Sequence, residues 1–148
     1  MAKDGTHYEA TATWVDGLQF VAQARSSGIA VVLDGAPDAG GTGAGVRPME
    51  ALLISLATCT GMDVISILHK KRQRVTGFKV HVRGQRREEH PRSYTHIELE
   101  FVVRGWDLSE EAVARAIELS QTKYCGVTHS LKSEVTYTYR VEAEQPPA

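Results

Sequence analysis

Along this chain the spacing of apolar residues switches several times between a period of two and a period near 3.6. Tyr8, Ala10, Ala12 and Trp14 alternate with His7, Glu9, Thr11 and Thr13, and the Asp16-Gly17 pair leads into LQFVAQA. That pattern predicts a β-hairpin. A third strand is expected from Ile29 to Leu33, after the Ser26-Ser27-Gly28 turn. Residues 35–47 are so rich in Gly and Pro that a mobile loop without regular structure is expected there.

Pro48 suits the first turn of a helix, where its missing N–H costs nothing, and only Gly61 interrupts the run from Met49 to about Arg72. Lys70, Lys71 and Arg72 complement the negative end of its dipole. Leu53, Ile54, Leu56, Ala57, Met62, Val64, Ile65 and Ile67 leave this helix no broad polar face. Such a helix must be wrapped by protein, and the few remaining elements make a second subunit the expected source of cover. Phe78-Val80-Val82 and Ile97-Leu99-Phe101-Val103 alternate with polar neighbours, which predicts two antiparallel strands with one wet face, joined through His90-Pro91-Arg92-Ser93. Ser109 is placed to cap a helix beginning at Glu110 and Glu111, with Val113, Ala116, Ile117 and Ser120 on its inner stripe as far as Tyr124, and Cys125-Gly126 to end it. A strand from Val135 to Val141 closes the domain before a loose tail at 143–148. The order predicts an α+β fold in one domain over residues 1–148, ordered over 8–142, with strands around a long buried central helix.

The composition supports one packed domain: 148 residues, 42% hydrophobic and 24% charged. A net charge of −1 leaves no overall field to attract nucleic acid or an anionic membrane. HKKRQR lies at a helix end, where cations are expected, and has no interleaved aromatic platform. The N-terminal residues lack the apolar core of a signal peptide, and no uninterrupted apolar stretch of about 18 residues is present, so a cytoplasmic protein is expected. GGTGAGV has neither the glycine fingerprint nor the lysine of a nucleotide loop. The six histidines show no metal-ligand spacing, and His90 and His129 would reach Cys125 only through tertiary structure. No metal or cofactor is expected.

Cys59 and Cys125 are the only cysteines, too few for a secreted disulfide scaffold. Both readings of them stay open on spacing alone: small core hydrophobes, or a reactive pair. A free thiol with a pKa near 8.5 is only about 3% thiolate at pH 7, so a reactive Cys59 needs that value lowered. Cys59 lies eleven positions after Pro48, about 16 Å along a helix at 1.5 Å per residue, beyond the reach of the dipole. A cation from another element is required. Tyr124, Trp14 and Met62 are candidates for an apolar mouth, with ordinary core packing the alternative.

RPMEALLISLATCTGMDVISILHKK resembles the cysteine helix of the OsmC family, the osmotically inducible and organic hydroperoxide resistance proteins, whose cysteine likewise follows a proline by eleven residues. LSQTKYCGVTHSL resembles the segment of the second family cysteine, and REEHPRSYTHIELEF the middle strands, notably of the less characterised branch. The likeness runs from about Tyr8 to Tyr139. It implies an intertwined homodimer that reduces organic hydroperoxides without metal or cofactor, with Cys59 peroxidatic, Cys125 resolving, and a dithiol of the dihydrolipoyl type as reductant. Two positions depart from the best-studied branch. Met49 stands where those peroxidases carry glutamate, with Glu50 one step later, and ATATWVDG lacks their early arginine. Glu50 is a candidate for holding an arginine toward the sulfur across a subunit boundary, being about 13 Å from Cys59 along its own helix; the alternative is that it only favours the helix N-terminus. Neither Arg47 nor Arg25 is assigned as the activating cation. A dimeric small-molecule binder or redox sensor of the same fold is the alternative function.

Overall fold

A computed structural model describes residues 5–148, which fall into two compact units that divide between Leu52 and Leu53. In the first unit, β1 (Ala10–Asp16), β2 (Gln19–Ala24) and β3 (Ala30–Leu33) form an antiparallel meander in sequence order. The hairpin expected around Asp16-Gly17 is present: Trp14 pairs with Phe20, and Gly17 turns the chain at φ 53°, a conformation open to a residue without Cβ. The Trp14 indole N–H donates to the Gly17 carbonyl at 2.9 Å. Arg25 pairs with Glu9 in the open, at the end of this sheet. The sheet buries almost none of its apolar side chains; Trp14 is 61% exposed and Val31 57%.

The glycine-rich stretch differs from the irregular loop expected. It contains one turn of 3₁₀ helix, Pro37–Ala39, and closes around the buried Asp34 carboxylate. That carboxylate accepts hydrogen bonds from the Gly35, Thr42 and Ala44 amides and from the Thr42 hydroxyl. The Thr42 hydroxyl, ahead of the three amides, holds the Asp34 carboxyl below the ordinary 3.8 against the opposing effect of desolvation. Gly41 is required here because a Cβ would stand 2.0 Å from the Gly35 carbonyl oxygen.

The helix α1 (Pro48–Lys70) begins at the expected proline and ends two residues short of the expected Arg72, which turns the chain at φ 55°. In the second unit, β4 (Arg74–Arg86), β5 (Tyr94–Trp106) and β6 (Glu134–Ala143) form one sheet in that order. The strands β4 and β5 are antiparallel through the expected turn, while β6 runs parallel to β5. Parallel pairing needs a long crossover, and α2 (Glu110–Leu119) with the segment after it supplies one. Ser109 caps α2 as its position predicts, accepting the Ala112 amide at 3.2 Å.

The core of this unit joins the inner row of β5, Ile97, Leu99, Phe101 and Val103, with Val113, Ala116 and Ile117 of α2. Leu56, Thr60, Val64 and Leu68, four residues apart, form the buried stripe of α1. Phe101 stacks on Phe78 and meets the edge of Tyr137. Within one chain α1 is therefore buried along a single stripe, not on all sides as its composition implied; Met62 is 69% exposed. By length and composition α1 would also suffice to cross a membrane, although Thr60 and Asp63 on it make polar bonds to the crossover.

The helix expected to run on to Tyr124 changes form instead. After Leu119 a five-residue π turn, Ser120–Tyr124, is closed by the Cys125 amide donating to the Ser120 carbonyl at 2.8 Å. A short helix, α3 (Gly126–Ser130), follows with Cys125 at its N-cap. Ser120 and Gln121 are adjacent in sequence and both turn inward to partners on α1, which a continuous amphipathic pattern does not anticipate.

Candidate redox site

Cys59, partly exposed on α1, and Cys125, fully buried after the π turn, interact through their side chains while both remain free thiols. The two cysteines, 66 positions apart in sequence, are brought together by α1 lying beside the crossover. At the N-cap of α3, Cys125 Sγ accepts the Thr128 backbone N–H at 3.4 Å. Burial pushes the Cys125 thiol above its ordinary 9.0; the Thr128 hydroxyl and amide pull it down, and Cys59 adds an upward push. No cation is among the groups acting on it. The arrangement therefore holds Cys125 as a thiol next to a sulfur that is more open to solvent.

A polar chain runs away from this pair. Thr128 Oγ1 donates to Gln121 Oε1 at 3.5 Å, Gln121 Nε2 donates to Thr60 Oγ1 at 2.8 Å, and the Thr60 and Ser120 hydroxyls meet at 2.7 Å. Ser120 Oγ donates to Asp63 Oδ2 at 2.9 Å. Thr60, Ser120 and Gln121 are buried, and among the described residues no buried side-chain nitrogen or oxygen lacks a partner. Asp63 opens onto a pocket of about 490 Å³, lined also by Met62, Ile67, Lys70, Leu119 and Tyr124. Met62 and Tyr124 thus share one largely apolar pocket, while Trp14 belongs to the first unit.

Glu50 is engaged at the start of α1, where its carboxylate accepts the Arg47 backbone N–H at 3.1 Å, one half of a capping box. The structure brings Cys59 and Cys125 together; the contact it gives Glu50 is with Arg47. His129 meets the cysteine segment through its backbone N–H, which donates to the Cys125 carbonyl at 3.2 Å. Among the described residues no three His, Cys, Asp or Glu side chains gather as a metal site.

A family model for the OsmC-like protein matches residues 41–140, a span holding both sulfurs, α1, the crossover and all of the second sheet but the end of β6. The chain belongs to the OsmC-like family. Protein YhfA of Escherichia coli strain K12 is 42% identical to it over 139 residues, covering 90% of this chain and 96% of that protein. The fold matches the crystal structure of a hypothetical protein from Aquifex aeolicus VF5 with a TM-score of 0.82 and 30% identity, covering 94% of this chain and 98% of that one. An organic hydroperoxide resistance protein OsmC from Legionella pneumophila has the same fold at a TM-score of 0.68 and 12% identity, covering 95% of this chain and 100% of that one. The α+β architecture with a central helix is thus that of OsmC-like proteins.

The polar chain was not legible as a site. Its one advance signal is polarity inside apolar stripes: Thr60 and Asp63 on α1, and Ser120 at an inner position of the second helix.

Proposed function

We propose that this OsmC-like protein is a thiol peroxidase for organic hydroperoxides, with Cys59 peroxidatic and Cys125 resolving. The observation that carries this reading is the side-chain contact between a partly exposed Cys59 and a buried Cys125 held as a thiol. The Cys59 thiolate attacks the distal oxygen of ROOH; the S–O bond forms as the O–O bond breaks, the hydrogen stays on the transferred oxygen to leave Cys59 as sulfenic acid, and the leaving alkoxide becomes ROH by taking up the proton released when the thiol ionised. Cys125 then attacks that sulfur, the disulfide forms, and its proton leaves with the hydroxyl as water. A dithiol of the dihydrolipoyl type returns both thiols and is itself oxidised to a disulfide. Preference for an organic over an inorganic peroxide is supported by the apolar pocket at Met62, Ile67, Leu119 and Tyr124, which begins three positions after Cys59 on α1.

The acting form in this reading is an intertwined homodimer, supported by the exposed apolar face of the first sheet and the open flank of α1 at Ile54 and Met62. Its place is a reducing compartment, the cytoplasm, because function requires two free thiols. The Glu50 carboxylate, in this reading, fixes the entry to α1 by holding the Arg47 amide.

The test is rapid mixing with cumene hydroperoxide and a dithiol, with mass detection of an intramolecular Cys59–Cys125 disulfide. Fast consumption that Cys59→Ser abolishes is the expected result. A second reading rests on the missing early arginine and on the absence of a cation among the groups acting on Cys125: a redox sensor or small-molecule binder. Disulfide formation without multiple turnover would favour it.

A further inference from the structure

The hairpin between β4 and β5 gathers positive charge at its turn and leaves it without a counter-charge. Arg25, Arg83, Arg104, Arg115 and Arg140 each face a carboxylate, and Arg74 lies over the Trp106 ring. Among the described residues no carboxylate pairs with Arg86, Arg87 or Arg92, yet these three and Glu88 line one open concavity of about 300 Å³. Two of the guanidinium groups are held in place. Adjacent residues of a strand ordinarily point to opposite faces, but the register shifts between Gln85 and Arg86, and both Arg86 and Arg87 reach across to the returning chain. Arg86 Nε donates to the Arg92 carbonyl at 2.6 Å and Arg87 Nε to Ser93 Oγ at 3.2 Å. Each fork is thereby fixed by one nitrogen, with its terminal N–H groups left over for another acceptor. The chain turns over residues 89–92, where the Arg92 amide donates to the Glu89 carbonyl at 2.8 Å and Arg92 takes φ 49°, which returns the third cation to the end of β4.

We infer that this turn is a binding site for a small phosphate monoester that also carries hydroxyl groups. Three guanidinium groups offer more donors than the two oxygens of a carboxylate can satisfy, whereas a phosphate monoester presents three terminal oxygens and close to two negative charges. Guanidinium forks match that group better than ammonium point charges do. Glu88 decides the rest of the ligand. Its carboxylate lines the same concavity, has no ion pair with the arginines among the described residues, and only accepts hydrogen bonds, so it opposes a bare anion and favours a hydroxyl beside the phosphate. The space agrees: at about 30 Å³ for each water-sized group it takes roughly ten of them, more than phosphate alone fills. Arg86, Arg87, Glu88 and Arg92 are all exposed, so the bound phosphate stays partly hydrated and the affinity expected is that of a metabolite site. None of these residues belongs to the cysteine pair or its pocket, and the inference does not depend on the proposed peroxidase.

The test follows the backbone amide and arginine Nε–H signals of the full chain by NMR as glycerol phosphate is added in a buffer free of phosphate and sulfate. Saturable shifts confined to residues 85–93, with a Kd of about 1 mM or tighter that persists in about 0.15 M NaCl, are the expected result. Glycerol alone is expected to cause no shift, and inorganic phosphate to bind more weakly than the ester. Arg86→Gln and Arg87→Gln are each expected to weaken glycerol phosphate about tenfold, the loss of one charged hydrogen-bonding group. Arg86→Lys, which keeps the charge but not the fork, is expected to weaken it less, and Lys79→Gln, a cation elsewhere on β4, not at all. Glu88→Gln is expected to tighten inorganic phosphate and so to erase the preference for the ester. No saturable shift, or equal weakening by Lys79→Gln, overturns the site. Equal affinity of the parent protein for the ester and for inorganic phosphate overturns the ligand class assigned to it. Binding to vesicles containing phosphatidic acid without any binding of glycerol phosphate would make the turn a membrane contact and overturns the inference as well.

Discussion

The hydroxyl oxygens of Thr60 and Ser120 meet at 2.7 Å inside the second unit, sixty positions apart in sequence. This contact ties α1 to the π turn, and Cys59 and Cys125 are the residues adjoining it on one element and just past the other. The separation of the two sulfurs is thereby set by a buried polar bond as well as by apolar packing.

Thr60→Val keeps the shape of that side chain but leaves Gln121 Nε2 without its acceptor and Ser120 without its neighbour. A loss of about 1–3 kcal/mol is expected in urea unfolding of the reduced protein, the cost of stranding buried polar groups. Thr60→Ser, which retains the oxygen, is expected to lose clearly less. A Thr60→Val protein as stable as the parent would contradict the importance given to the bond.

Cys125→Ser is expected to separate the two chemical steps. Peroxide still oxidises Cys59, but no disulfide can form, so a sulfenic acid persists and is captured by dimedone as a mass increase on the peptide containing Cys59. Turnover with a dithiol is expected to be lost. Failure to find the adduct while peroxide is consumed would move the reactive role away from Cys59.

Asp34 gives the first unit a predictable response to acid. Its folded pKa is depressed below the ordinary 3.8, so the carboxylate contributes stability that is complete well above that value and disappears as pH falls through the folded one. Loosening of the segment around Thr42 and Ala44, read by amide hydrogen exchange, is expected to set in below about pH 4. Asp34→Asn is expected to show that faster exchange already at neutral pH, with fewer acceptor positions for the donors gathered there.

Val31, 57% exposed on β3, lies on the apolar sheet face that the proposed homodimer would cover. Val31→Glu would bury a charge in that contact and is expected to shift sedimentation from twice the chain mass to once. An unaltered mass would place the interface elsewhere.

Much of this architecture was open to reading because the periodicity was strong. The hairpin at Asp16-Gly17, the helix after Pro48, the Ser109 cap and the alternation along β5 each follow from local rules that tertiary structure did not override. The parts that escaped depend on partners distant in sequence. Nothing near Ser120 signals that it and Gln121 both turn toward Thr60, so from sequence the π turn reads as the tail of a helix ended by Cys125-Gly126, and α3 beyond it carries no signal of its own. Asp34 looked like an ordinary loop residue because its donors come from backbone amides up to ten positions away. Glycines taken as signs of looseness, Gly41 among them, instead permit the close approach that the carboxylate organises.

The parallel course of β6 beside β5 obliges the chain to travel back along the full length of the sheet, and α2, the π turn and α3 are that return journey. The second sulfur therefore rides on a connector, not on a strand whose register is fixed by its neighbours. Insertions or exchanges in this bridge can retune the thiol while the sheet beneath keeps its pairing, which makes the reactive half-site and the scaffold separately adjustable.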